Sequence, residues 1–145
     1  MKPNKTWIVL ADAQSVRIVV NDGPNKGVYG QSAQGLHAPP LSELSDAPGM
    51  TYAPAGPNRG GITEPDLKAQ ATRAFAEKIV DFLDAARAAD TFQQFILIAP
   101  PAMLGVLRDQ LTPALRKVLR ADIPKDLTHL PLDQLPAHLG DVLAV

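Results

Sequence analysis

One stretch, Asp22–Ile62, holds eight of the ten glycines in this 145-residue chain. After Gly35 every candidate element in it is broken, by Pro39-Pro40, Pro48-Gly49, Pro54, Gly56-Pro57 and Gly60-Gly61. Glycine leaves φ unrestrained and proline removes a backbone donor, so neither helix nor ladder propagates through such a run. Regular structure is therefore confined to the residues on either side. The fold has to accommodate a long irregular loop immediately before its main helix, and loops of that length in small domains tend to carry function or to lack fixed structure. Leu36, Leu41 and Leu44 are expected to pin parts of it to the core.

The flanking residues are strongly patterned. Thr6–Ala11 is a short apolar run rich in β-formers and predicts a strand buried on both faces. Asp12–Ser15 predicts a turn, Val16–Asn21 a second strand with Arg17 on one face, and Val28–Ala33 a third strand weakened by Gly30. The short link between the first two strands predicts an antiparallel hairpin. Beyond the loop, Thr63 predicts an N-cap, and Pro65, Glu64 and Asp66 suit a first helical turn. Leu67, Ala71, Phe75, Ile79, Phe82, Leu83 and Ala86 then form one apolar stripe. Phe95–Ala99 predicts another buried strand ended by Pro100-Pro101, with a helix after it carrying Leu104, Val106, Leu107 and Leu111 inward. Pro113 interrupts, and Leu115, Val118 and Leu119 predict a shorter helix. Leu127–Leu130 predicts the last strand and Leu132–Leu139 a short helix. A helix between buried strands implies a parallel crossover. The expectation is a single α/β domain over residues 1–145, with a mixed five-stranded sheet and flanking helices. An antiparallel meander followed by a parallel half resembles ribonuclease H-like folds.

Composition narrows the function classes. The chain has no cysteine, which excludes disulfides and thiolate metal sites and fits a reducing compartment. Fourteen basic against fifteen acidic residues give a net charge of −1, so no global field draws in nucleic acid or an anionic membrane. Trp7–Ala11 and Phe95–Pro101 are the longest apolar runs, too short to span a bilayer. The brief apolar run after Met1–Lys5 makes a poor signal peptide, and a cytoplasmic protein without membrane association is expected.

Local chemistry offers three candidate sites. Arg59-Gly60-Gly61 precedes the main helix, where backbone N–H groups and the helix dipole suit an anion; Glu64 and Asp66 compete with it. Asp12 ends the first buried strand and would need carboxylates such as Asp46, Asp66 or Asp126 to converge on metal ions; the plainer reading is a carboxylate capping the turn. Arg108, Arg116, Lys117 and Arg120 form a basic cluster suited to phosphate contact, with Arg116 and Arg120 expected on one helix face. The plainer reading is a solvated face paired in part to Asp109 and Asp122. His37, His129 and His138 have no helical metal-site spacing, and no serine sits in a nucleophile elbow. No Walker A or dinucleotide fingerprint occurs. No cofactor and no metal is expected, and no catalytic residues are assigned from the sequence.

Four segments together carry a family resemblance: Trp7–Asp12 followed by Val16-Arg17-Ile18; Leu44–Gly49; Phe75-Ala76; and Phe95–Pro101 with Leu104-Gly105, Leu107-Arg108 and Lys125–Thr128. In this order and spacing the chain resembles the bacterial host attachment proteins, also described as required for attachment to host cells. It is also distantly similar to the middle domain of class 1 release factors and their ribosome-rescue paralogues in archaea and eukaryotes. There a Gly-Gly-Gln tip before a long helix promotes ester hydrolysis on the ribosome. Gly60-Gly61 stands at the matching place here, but Ile62 replaces the glutamine. The resemblance therefore implies a non-catalytic interaction module with a ribosome or RNA partner, or a protein partner engaged through the loop. The alternatives are a metal-dependent nuclease or ester hydrolase, and a cell attachment factor.

Overall fold

Trp7, Val9 and Ala11 point to one side of a strand while Ile8 and Leu10 point to the other, and all five are buried. That strand, β1 (Thr6–Ala11), is the centre of the sheet in a computed structural model that describes residues 5–23, 26–31 and 64–140. It pairs antiparallel with β2 (Val16–Asn21), which pairs antiparallel with β3 (Tyr29–Gln31). On its other side β1 runs parallel to β4 (Gln94–Ile98), and β4 runs parallel to β5 (Leu119–Ile123). The order β3-β2-β1-β4-β5 is the expected mixed sheet, an antiparallel half joined to a parallel half.

The two faces are covered differently. Helix α1 (Glu64–Ala88) lays Phe75, Ala76, Ile79, Val80 and Leu83 over Trp7, Val9, Ile18 and Val20. Helices α2 (Pro101–Gln110) and α3 (Pro113–Val118) extend the same layer with Met103, Leu104, Leu107 and Leu115. The opposite face, Ile8, Leu10, Val19, Ile96 and Ile98, is roofed by a segment with little regular structure. Leu127, Leu130 and Leu132 pack there, followed by α4 (Leu135–Leu139), whose Leu135 and Leu139 are fully buried.

Proline sets several helix starts. Pro101 opens α2 and Pro113 opens α3, where a missing N–H costs nothing. Thr112 caps α3, its hydroxyl accepting from the Leu115 N–H at 3.1 Å. The Thr63 cap expected for α1 lies outside the described residues, as does most of the Asp22–Ile62 loop. At its far end α1 closes with the Asp90 N–H donating to the Arg87 carbonyl and the Thr91 N–H to the Ala86 carbonyl, both at 2.9 Å. This is the Schellman pattern, whose C′ residue is normally glycine. Here Asp90 adopts φ +62° instead. Asp90→Ala is expected to cost about 1 kcal/mol because an ordinary side chain is strained in the left-handed region, whereas Asp90→Gly should stay within about 0.5 kcal/mol of the parent. Urea unfolding of the two variants measures the difference.

The last strand corrects the sequence expectation. Leu119 does not continue α3 but begins β5, and Leu127–Leu130 is a turn. Arg120 therefore lies on a strand, and its shared helix face with Arg116 does not exist. Leu127 and Leu130 are apolar because they cover the sheet rather than extend it.

Candidate functional site

Parallel strands bring their C-terminal ends to one edge of the sheet, a common place for binding sites in α/β folds. β1 is followed there by Asp12, β4 by Ala99 and Pro100, and β5 by the Pro124–Asp126 segment. The Asp12 carboxylate is committed to its own turn. Its Oδ1 accepts from the backbone N–H groups of Gln14 (2.8 Å) and Ser15 (2.7 Å) and from the Ser15 hydroxyl (3.2 Å). The Asp12 N–H donates to the Ser15 carbonyl at 2.9 Å and closes the hairpin. The other oxygen, Oδ2, faces Nε2 of His129 at 3.9 Å.

Arg17 explains why His129 arrives there. It is the one charged residue of β2, lies opposite Leu10, and directs its guanidinium towards the roofing segment. Nη1 donates to the carbonyls of Thr128 (3.4 Å) and Leu130 (2.5 Å), the two neighbours of His129. The backbone on both sides of the histidine is thus held while its ring stays 87% exposed. Asp126 lies just before this turn, and its Oδ1 accepts from the Thr128 hydroxyl at 3.3 Å. Asp46 and His37 lie outside the described residues, and so do Arg59, Gly60 and Gly61. Among the described residues no three His, Asp or Glu side chains gather as a metal site would need. Ser15, Asp12 and His129 do not form a nucleophile triad either. Asp12 stands between the other two, whereas that chemistry needs the histidine between serine and carboxylate.

The basic cluster divides into a structural and an exposed part. Arg108 Nε donates to Asp122 Oδ2 at 2.6 Å, tying α2 to the edge strand β5. The bond holds the Asp122 carboxyl below its usual range and raises the Arg108 guanidinium. Arg116 Nη2 donates to the Arg108 carbonyl at 2.6 Å and Nε to the Leu111 carbonyl at 3.2 Å, satisfying the end of α2. Those acceptors are neutral, so the charge of Arg116 is not cancelled, and neither Arg116 nor Lys117 has an ion-pair partner among the described residues. Both are exposed in the last turn of α3. Lys117 rims an open depression of about 520 Å3 that Arg87, Phe92 and Val118 also line. Arg120 reaches Gln94 Oε1 at 3.4 Å from the start of β5.

The match to known proteins is at the level of the family. A family described as "Protein required for attachment to host cells" matches residues 7–139, from the first core tryptophan to the last buried leucine of the roof. The chain belongs to that family. The matched span runs from Trp7 of β1 through the other four strands, the α1–α3 layer and the roof to Leu139, and takes in Asp12, Arg17, His129 and the basic cluster. Comparison with curated proteins finds no match. The family's description names a phenotype, attachment, rather than a reaction. Among the described residues no helix is long and apolar enough to cross a membrane.

Sequence reasoning did not pair Asp12 with His129 or assign Arg17 a role. The sequence signal was an arginine among the valines and isoleucine of β2, which marks a buried-side polar partner without identifying it.

Proposed function

We propose that this member of the attachment family is a non-catalytic binding module that engages an RNA or ribosomal partner through the basic end of α3. The observation that carries the reading is the pair Arg116 and Lys117. Both are exposed, adjacent in the last helical turn and without a carboxylate partner among the described residues. Phosphate groups are the natural counterions for such a pair. Asp12 supports binding over metal-dependent cleavage, because one oxygen of its carboxylate is taken up by three donors of its own turn. The strand order supports the ribonuclease H-like reading of the sheet, a fold whose members include nucleic-acid-binding proteins.

The test is co-sedimentation with ribosomes and with purified RNA at low and moderate salt. Lys117→Glu combined with Arg116→Glu should weaken binding by roughly tenfold or more and flatten its salt dependence, since each lost phosphate contact lowers the salt slope by about one. Lys117→Glu alone, which touches no described hydrogen bond, should show part of the loss with unchanged unfolding. Failure to pellet with either partner at low salt sinks the proposal.

A further inference from the structure

On the outer side of the helical layer, α1 and α2 enclose an open, mainly apolar depression of about 490 Å3. Ala69, Thr72 and Arg73 line it from α1, and Ala102, Val106 and Asp109 from α2. The two walls are tied where the Gln110 side-chain amide donates to the Arg73 carbonyl at 3.1 Å. Most of the lining side chains are short, so another backbone can approach closely. Each wall carries one exposed charge, Arg73 on α1 and Asp109 on α2. Neither has an ion-pair partner among the described residues.

A face with one unpaired cation on one wall and one unpaired anion on the other is complementary to itself. We propose that this face docks a second copy of the chain about a two-fold axis running along the depression. A two-fold interface brings the same patch together twice, so each contact is made in duplicate. With the axis between the walls, α1 of one copy lies against α2 of the other. Arg73 then meets the partner's Asp109, and Asp109 meets the partner's Arg73. Ala69 and Thr72 approach the short α2 wall opposite, and the four helices form a bundle-like layer whose centre is filled by the lining side chains. Two sheets end up on the outside of the assembly, leaving the roofed faces untouched. The proposal does not rest on the RNA reading, because it uses none of the α3 residues.

The test is sedimentation velocity of the full chain from micromolar to near-millimolar concentration. The expected result is a reversible shift from 15.5 kDa to twice that mass. Arg73→Asp and Asp109→Arg should each weaken association by about a hundredfold, because each places like charges opposite each other at two symmetric contacts. The double reversal, Arg73→Asp with Asp109→Arg, should restore it. Both residues are exposed, and circular dichroism of each variant reports whether the fold is intact. A monomer at every concentration, or an association indifferent to the single reversals or not restored by the double one, overturns the proposal.

Discussion

Phe92→Ala is expected to lower the unfolding free energy by about 3–5 kcal/mol, the range for removing a buried phenylalanine from a packed core. Phe92 stands between the end of α1 and the start of β4 and is 2% exposed. Its ring lies 4.8 Å from that of Trp7 in a tilted arrangement and 5.8 Å from that of Phe95 edge-on. Trp7 in turn stacks on Phe82 at 6.0 Å. The four rings join α1, β1 and β4, so the lost ring takes with it contacts to β1 and β4 and, through Trp7, the support of α1. Offset and edge-on ring pairs add about 0.5–1.5 kcal/mol beyond area burial. Phe92→Leu, which keeps most of the volume, should cost clearly less. Urea titrations monitored by Trp7 fluorescence read both, since it is the sole tryptophan. A loss below about 1 kcal/mol for Phe92→Ala would contradict this packing.

Asp12→Ala is expected to cost about 2 kcal/mol, because three donors that converge on one carboxylate oxygen lose their acceptor together. Asp12→Asn retains an acceptor at that position and should cost less than half as much. His129→Ala should be nearly silent, within about 0.5 kcal/mol, since the ring is largely in water and 3.9 Å from the carboxylate. Equilibrium unfolding of the three variants separates a turn cap from a charge-dependent role. If Asp12→Asn proved as damaging as Asp12→Ala, the negative charge itself would be the important property.

The parts of the fold visible in the sequence are those where one physical pattern acts alone. Thr6–Ala11 and Phe95–Ala99 are apolar on both sides because both faces of the central parallel strands are covered. Residues 67–86 carry a single stripe because α1 has one buried side. β5 was hidden because it is an edge strand. Arg120 and Asp122 interrupt its apolar residues, and it follows α3 with no turn residue between. Charged edge strands of this kind discourage unwanted pairing and look like helix or loop in sequence. Leu127–Leu130 drew the strand expectation instead, since an apolar cover over a sheet has no period of its own. At the site, the turn-capping role of Asp12 was legible from Asp-Ala-Gln-Ser chemistry. Its approach to His129 was not, because the hold that Arg17 keeps on Thr128 and Leu130 spans more than a hundred residues of chain.

The unequal covering of the two sheet faces has a consequence for biosynthesis. A nascent chain that has emerged as far as Ile123 possesses all five strands and the whole α1–α3 layer. Ile8, Leu10, Val19, Ile96 and Ile98 would still lack Leu127, Leu130, Leu135 and Leu139. Five neighbouring aliphatic side chains are then presented to solvent or to a chaperone until translation adds the next sixteen residues. Stalled or proteolytically shortened products ending near Ile123 should therefore be sticky although their sheet is complete, and quality control would recognise them by that bare face.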